Sequence, residues 1–178
     1  KHDHVVLHLD DGSMSVYNDA RRFGVLDLFQ GDSHKLLDHL GPEPLGDWTA
    51  IHLHEKLENK KTAIKIAILD QRVVVGVGNI YVCEALNRTG ISPTRRSCDV
   101  TLEECERLVA EIKVILSEAI QAGGSTLRDF QAVDGTLGYF PHQFKVYDRE
   151  GDSCHCGGTI QRLPQGGRST FWCPSCQL

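Results

Sequence analysis

Four of the seven cysteines lie within the last 25 residues, as Cys154-His-Cys156 and Cys173-Pro-Ser-Cys176 with sixteen residues between the pairs. Two close pairs at that separation suit a tetrahedral metal site, in which thiolates from two knuckles clamp the ends of a hairpin. The expectation is one structural Zn2+ held by Cys154, Cys156, Cys173 and Cys176. The odd total and the clustering speak against a secreted disulfide framework, and Cys83, Cys98 and Cys105 are scattered through apolar, helical surroundings. The first pair is tighter than zinc ribbons usually allow, because two or more intervening residues normally let backbone amides fold over the sulfurs. His155 standing in for one cysteine and a residue missing from the pair are both open. Catalytic zinc of the nucleobase-deaminase kind is disfavoured: that pattern needs His-x-Glu and Pro-Cys-x-x-Cys, whereas here proline follows Cys173 and no His-x-Glu occurs. Four protein ligands would also leave no position for an activated water.

A second chemical signal is Val75-Gly-Val-Gly-Asn-Ile-Tyr81, two glycines just ahead of a helix start. A dinucleotide turn would want Gly or Ala where Tyr81 stands, inside alternating strands and helices that are absent here, and no Gly-Lys-Ser/Thr follows as a P-loop requires. Two readings remain. The glycines permit a tight helix-to-helix turn, or they let the phosphate of a polymer approach the amides of a helix N-terminus, with Asn79 donating from its side chain. The net charge of −5 argues mildly against a nucleic-acid binder. Its distribution argues the other way. Between residues 59 and 96 stand Lys60, Lys61, Lys65, Arg72, Arg88, Arg95 and Arg96 against only Asp70 and Glu84, while the acids gather at 101–118, on what would be a helix's solvent face. A basic run that is merely a solvated face is the plainer alternative.

The elements that must carry these groups can be read from periodicity. Residues 4–9 and 14–17 flank Asp10-Asp11-Gly12-Ser13 and predict a β-hairpin whose Gly12 supplies a positive φ. A chain that opens on one hairpin reads as cut from a larger sheet. Prolines and glycines between 31 and 48 mark a linker or boundary. Helices are expected over 48–57, 62–69 and 79–88, with a turn at 73–78 and a stop at Gly90 and Pro93. Thr101-Leu-Glu-Glu104 is a capping box opening a long helix, striped by Leu102, Leu108, Val109, Ile112, Leu116, Ala119 and Ile120 and closed by Gly123-Gly124. Residues 125–139 lack periodicity and read as a mobile loop, and 144–147 with the cysteine segment predict a final β-hairpin. The fold class is α+β, divided as 1–31, 32–143 and 144–178. No stretch approaches the apolar length of a membrane span, and the first residues do not resemble a signal peptide, so a cytoplasmic protein is expected.

Five motifs coincide in order along the chain: Asn18-Asp-Ala-Arg-Arg-Phe-Gly24, Leu40-Gly-Pro-Glu-Pro-Leu45, Lys60-Lys-Thr-Ala-Ile-Lys65, Val75-Gly-Val-Gly-Asn-Ile-Tyr81 and Gln165-Gly-Gly-Arg-Ser-Thr-Phe-Trp-Cys173. Together they closely resemble the bacterial formamidopyrimidine-DNA glycosylases. The resemblance implies the last strands of a β-sandwich (1–31), a helix-two-turns-helix domain (32–143) and a zinc-finger hairpin (144–178), with double-stranded DNA bearing oxidised bases or abasic sites as partner and a monomer as the working form. It implies excision of oxidised purines through a Schiff base, followed by nicking of the abasic strand. Lys65, Gly78 and Asn79 would grip phosphates near the lesion, with Arg168 doing so from the zinc hairpin. Arg21, beside Arg22, would face the orphaned base, and Phe23 would wedge the stack. The loop containing Ser125, Thr126 and Tyr139 would close over the flipped lesion.

The family pattern places an amino-terminal proline nucleophile, an adjacent glutamate and a hairpin lysine where this chain has no match: it begins at Lys1, and its first proline is Pro42. The resemblance therefore implies a fragment that shares in gripping DNA and does not itself excise bases, with no catalytic residue in this chain. Two other readings fit parts of the pattern. A relative excising oxidised pyrimidines shares the helical and zinc modules, although the Arg21 and Phe23 pair favours the purine enzyme. A noncatalytic zinc-containing DNA-binding protein would predict no missing half.

Overall fold

In the computed structural model of the chain, described over residues 1–31, 33–124 and 144–178, two compact units form, 1–38 and 39–178. The first is built on an antiparallel pair, β1 (Asp3–His8) and β2 (Met14–Asn18), in register at Val6 with Val16 and His8 with Met14. The predicted turn closes it: the Leu9 amide donates to the Ser13 carbonyl, Asp11 accepts from the Ser13 amide, and Gly12 takes φ 83°.

The second unit starts with α1 (Ala50–Leu57), whose N-terminus is capped by the Thr49 hydroxyl. A short α2 (Ile64–Ile68) follows, then α3 (Asn79–Thr89), ended by Gly90 in the left-handed conformation. α4 (Leu102–Gln121) opens on the expected capping box, with the Thr101 hydroxyl accepting the Glu104 amide and the Glu104 carboxylate accepting the Thr101 amide. Trp48, Leu53, Ile64, Val74, Val82, Leu86, Leu108 and Ile112 form one continuous core.

The buried stripe of α4 is Cys105, Leu108, Val109, Ile112, Ile115, Leu116 and Ala119. Leu102 and Ile120, expected on it, are exposed. At about 1.5 Å per residue a 20-residue helix overhangs partners of 8 and 11 residues, leaving its ends uncovered among the described residues. Residues 41–42 pack against the turn between α2 and α3: the Gly41 amide donates to the Gln71 carbonyl, and the Val75 amide to Pro42. A Cβ on Gly41 would lie 2.8 Å from the Val73 carbonyl carbon, so only glycine lets these segments meet.

The final hairpin is β3 (Gln161–Gln165) with β4 (Arg168–Trp172), turned by Gly166 and Gly167 at positive φ. Residues 144–147, expected to enter this hairpin, form no strand. They are turn structure held by a side chain of α3, as described below.

Candidate functional site

The four predicted cysteine ligands converge. Their sulfurs all lie within 4.8 Å of one another, with Cys154 Sγ 3.8 Å from Cys176 Sγ and Cys156 Sγ 3.6 Å from Cys173 Sγ. A tetrahedron of Zn–S bonds of about 2.3 Å has edges of about 3.8 Å, so the sulfur cage has the dimensions of a zinc site. The ligands are the four cysteines. His155 lies outside the set, with Nδ1 3.4 Å from Cys154 Sγ. The short Cys-x-Cys spacing is made workable by the two glycines after it: with Gly157 at φ 86°, the Gly158 amide folds back onto Cys156 Sγ at 3.4 Å and the Gly158 carbonyl accepts the Cys154 amide. A Cβ on Gly158 would overlap the Ser175 hydroxyl and lie 2.9 Å from Cys173 Sγ. The module thus holds one zinc ion, in an architectural role.

The N-terminus of α3 is open. Gly78 is the N-cap, no side chain caps the first turn, and no acidic residue lies in it. The two glycines of the Val75–Tyr81 motif separate in role. Gly76 sits at φ 80°, where a side chain is strained, whereas Gly78 has φ −84° and a Cβ there would meet nothing closer than 3.9 Å. The turn itself demands glycine only at 76.

The basic run is mostly neutralised within the fold. Arg72 pairs with Asp70, Arg88 with Glu118 and Glu111, Arg95 with Glu104, Arg96 with Asp99, and Lys60 lies 3.9 Å from Asp70. These are surface and half-buried pairs that tie helices and turns together. Lys61, Lys65 and Arg168 are different: among the described residues none of them has a carboxylate partner, and of the three only Lys65 is buried. Lys65 is 0% exposed and, among the described residues, its Nζ has no hydrogen-bond acceptor. Burial pushes its ammonium below the ordinary lysine range, the Cys83 thiol works against this, and the nearby Arg168 guanidinium adds to it. Arg168 lines a groove of about 470 Å³ together with Thr62, Ile66 and Gly166.

An unpaired buried lysine has a measurable signature. Below its folded pKa the cost of burying the charge is fully present. As pH rises through that value towards the ordinary 10.5, the unfolded chain binds the extra proton and stability increases. Lys65→Met keeps the reach without the charge, so it is expected to raise stability at neutral pH by about 1–3 kcal/mol and to flatten the alkaline rise. Urea denaturation at several pH values reads both, and an unchanged pH profile would show that Lys65 is solvated.

Asn79 donates from Nδ2 to the Ser169 carbonyl at 2.9 Å and more weakly to the Tyr147 hydroxyl at 3.4 Å, so its side chain ties α3 to β4. This begins a polar strip that sequence reading did not anticipate. Glu84, 1% exposed, accepts the amides of Lys145, Val146 and Tyr147 at 2.8, 3.0 and 2.8 Å. Asn87 donates to Gln177, which also accepts the Cys173 amide and donates to the Ile91 carbonyl. Asn79, Cys83 and Asn87 recur every four residues, with Cys83 packed among Val146, Ile160 and Phe171. The only signal in the sequence was that polar spacing along an otherwise apolar helix.

In the first unit, Phe23 is 78% exposed, with the Arg21 guanidinium over its ring at 5.1 Å, and Arg22 has φ 55°. Ser125, Thr126 and Tyr139 lie outside the described residues.

Residues 40–131 match the family described as the formamidopyrimidine-DNA glycosylase H2TH domain, and residues 155–178 match a zinc finger found in FPG and IleRS. Formamidopyrimidine-DNA glycosylases of Ruegeria pomeroyi and Paracoccus denitrificans are 52% and 53% identical over 99% of this chain. The chain spans 65% of the length of each. The crystal structure of the MutM (Fpg) protein of Thermus thermophilus superposes with a TM-score of 0.89 at 39% identity, covering 99% of this chain and 68% of that one. A complex of Lactococcus lactis Fpg with DNA containing an abasic site gives 0.86 at 35%, covering 99% and 66%. With its helix-two-turns-helix core and its four-cysteine hairpin both matched, the chain belongs to the formamidopyrimidine-DNA glycosylase family.

Proposed function

We propose that this chain serves base-excision repair by binding duplex DNA that carries oxidised purines or abasic sites, while the full-length family enzyme removes the damaged base by N-glycosidic cleavage and then nicks the strand. The residues described here supply grip and wedge rather than bond-breaking. The observation that carries the reading is the open N-terminus of α3 beside two cations without carboxylate partners, Lys65 and Arg168, with a glycine at 78 that the turn does not require. Such a place suits a polymer phosphate: amides point outward, backbone approach is unobstructed, and charge is left over. Lys65, with Gly78 and Asn79 through their backbone amides, holds phosphates next to the lesion, the Asn79 side chain being engaged with β4, and Arg168 holds the backbone from the zinc hairpin. Arg21 faces the orphaned base, Arg22 adds charge beside it, Phe23 wedges the stack, and the loop with Ser125, Thr126 and Tyr139 closes over the flipped nucleotide. The chain divides for this work as 1–31, 32–143 and 144–178, and acts as a monomer in the bacterial cytoplasm, at the nucleoid. A relative, Lactococcus lactis Fpg, has been solved with abasic-site DNA, which supports the assignment of partner.

Fluorescence anisotropy against a duplex with an abasic-site analogue and against the same duplex intact, across salt concentrations, tests this. Tighter binding to the lesion duplex with a steep salt slope is expected, and Lys65→Met should weaken it by about tenfold, one charge-assisted contact. Equal, weak binding to both duplexes would sink the reading for this chain.

A further inference from the structure

Phe23 is presented rather than merely exposed, and the group that presents it is Asp19. The ring stands largely in solvent, yet the backbone beneath it takes the left-handed conformation at Arg22, φ 55°, which residues other than glycine seldom adopt unaided. Asp19 Oδ2 accepts the Gly24 amide at 2.8 Å and the Tyr17 hydroxyl at 3.3 Å. Gly24 is packed beneath the same group: a Cβ there would overlap the Tyr17 hydroxyl and lie 3.1 Å from Oδ2. One carboxylate therefore pins the Gly24 end of the turn that carries Arg21 and Phe23, the guanidinium lying 5.1 Å from the ring centre.

We propose that Asp19 is a positioning residue for the wedge, its carboxylate locking the Arg22–Gly24 backbone in the turn that holds Phe23 and Arg21 ready for insertion. The proposal rests on the DNA reading above. Amide bonds to a carboxylate are charge-assisted and stronger than those to a neutral oxygen, so the turn is ordered before DNA arrives and the ordering cost falls outside the binding step. Without Asp19 the Gly24 amide loses its acceptor and the turn relaxes to extended backbone, leaving Phe23 attached but unaimed.

The test uses the full chain and two readouts. In amide NMR without DNA, Asp19→Ala should shift the Gly24 resonance strongly and remove its exchange protection while the amides of β1 and β2 stay in place. Asp19→Asn, which keeps one acceptor oxygen, should retain part of both. In anisotropy, the ratio of Kd for intact over abasic duplex should fall about tenfold in Asp19→Ala, partly restored in Asp19→Asn, and adding Asp19→Ala to Phe23→Ala should cost nothing further. An unchanged Gly24 amide would overturn the proposal, as would an Asp19→Ala penalty that adds in full to that of Phe23→Ala. A wild-type chain with no preference for the abasic duplex would overturn the DNA reading and the wedge with it, while the NMR arm still decides whether Asp19 holds the turn.

Discussion

Chelating the zinc will unfold residues 154–176, release Arg168 and lower duplex affinity by about 10- to 100-fold, while the helical core remains folded. The magnitude, about 1.4–2.7 kcal/mol, corresponds to the loss of one charge-assisted contact at roughly 1.5–3 kcal/mol. The hairpin has little apolar material of its own: Val146, Ile160 and Phe171 pack with Cys83 of α3 and two of the ligand cysteines. A cluster of that size does not hold two strands without the metal, so metal binding and folding of the module are one equilibrium. The core depends on other side chains, from Trp48 to Ala119, with Phe144 and the partly buried Tyr147 lying ahead of the segment that unfolds. Circular dichroism in the helical region, followed through chelator titration alongside anisotropy, separates the two. Binding that survives chelation unchanged would remove the zinc module from the DNA face.

Glu84→Ala will cost about 3–5 kcal/mol of stability in the zinc-loaded protein. The buried carboxylate is the common acceptor for three consecutive amides, and its removal leaves those donors inside with nothing to replace it. Glu84→Gln should fall between, because one oxygen survives but an NH2 group is turned against N–H donors. The same substitutions should loosen Tyr147, whose ring contacts Phe171 at 5.0 Å and whose hydroxyl meets Asn79, so DNA affinity should fall with stability. Urea denaturation gives the first number. A loss below about 1 kcal/mol would mean that water replaces the carboxylate and that the turn is not held from α3.

What was legible in the sequence was what depends on near neighbours. The Gly12 turn, the Thr101 capping box, the Gly90 helix stop and the paired cysteines each specify themselves within a few residues, and each is found as expected. Where length mattered, periodicity misled: Leu102 and Ile120 satisfy the apolar spacing of α4 but extend past the shorter helices that cover it. The basic run at 60–96 looked like a single cationic surface. Its arginines are instead paired with Asp70, Asp99, Glu104, Glu111 and Glu118, the last three on α4, and only assembly of the helices shows that Lys65 has no such partner. The strand expected at 144–147 failed for the same reason. Its amides are claimed by a carboxylate 61 to 63 positions earlier, a partner no local window contains.

The polar strip on α3 also sets an order of assembly. Its bonds reach across 61 to 90 positions, from Asn79 to Ser169 and from Asn87 to Gln177, whereas the helical core can begin from nearer pairs such as α3 with α4, the next long helix. Distant pairings form late, because a long loop must be closed before they contribute anything. A nascent chain therefore spends an interval with its helices packed and Glu84 still facing water, and maturation ends when the metal-loaded hairpin lands on that face. Refolding should accordingly show two phases, a fast one that ignores zinc and a slower one whose rate follows the supply of metal.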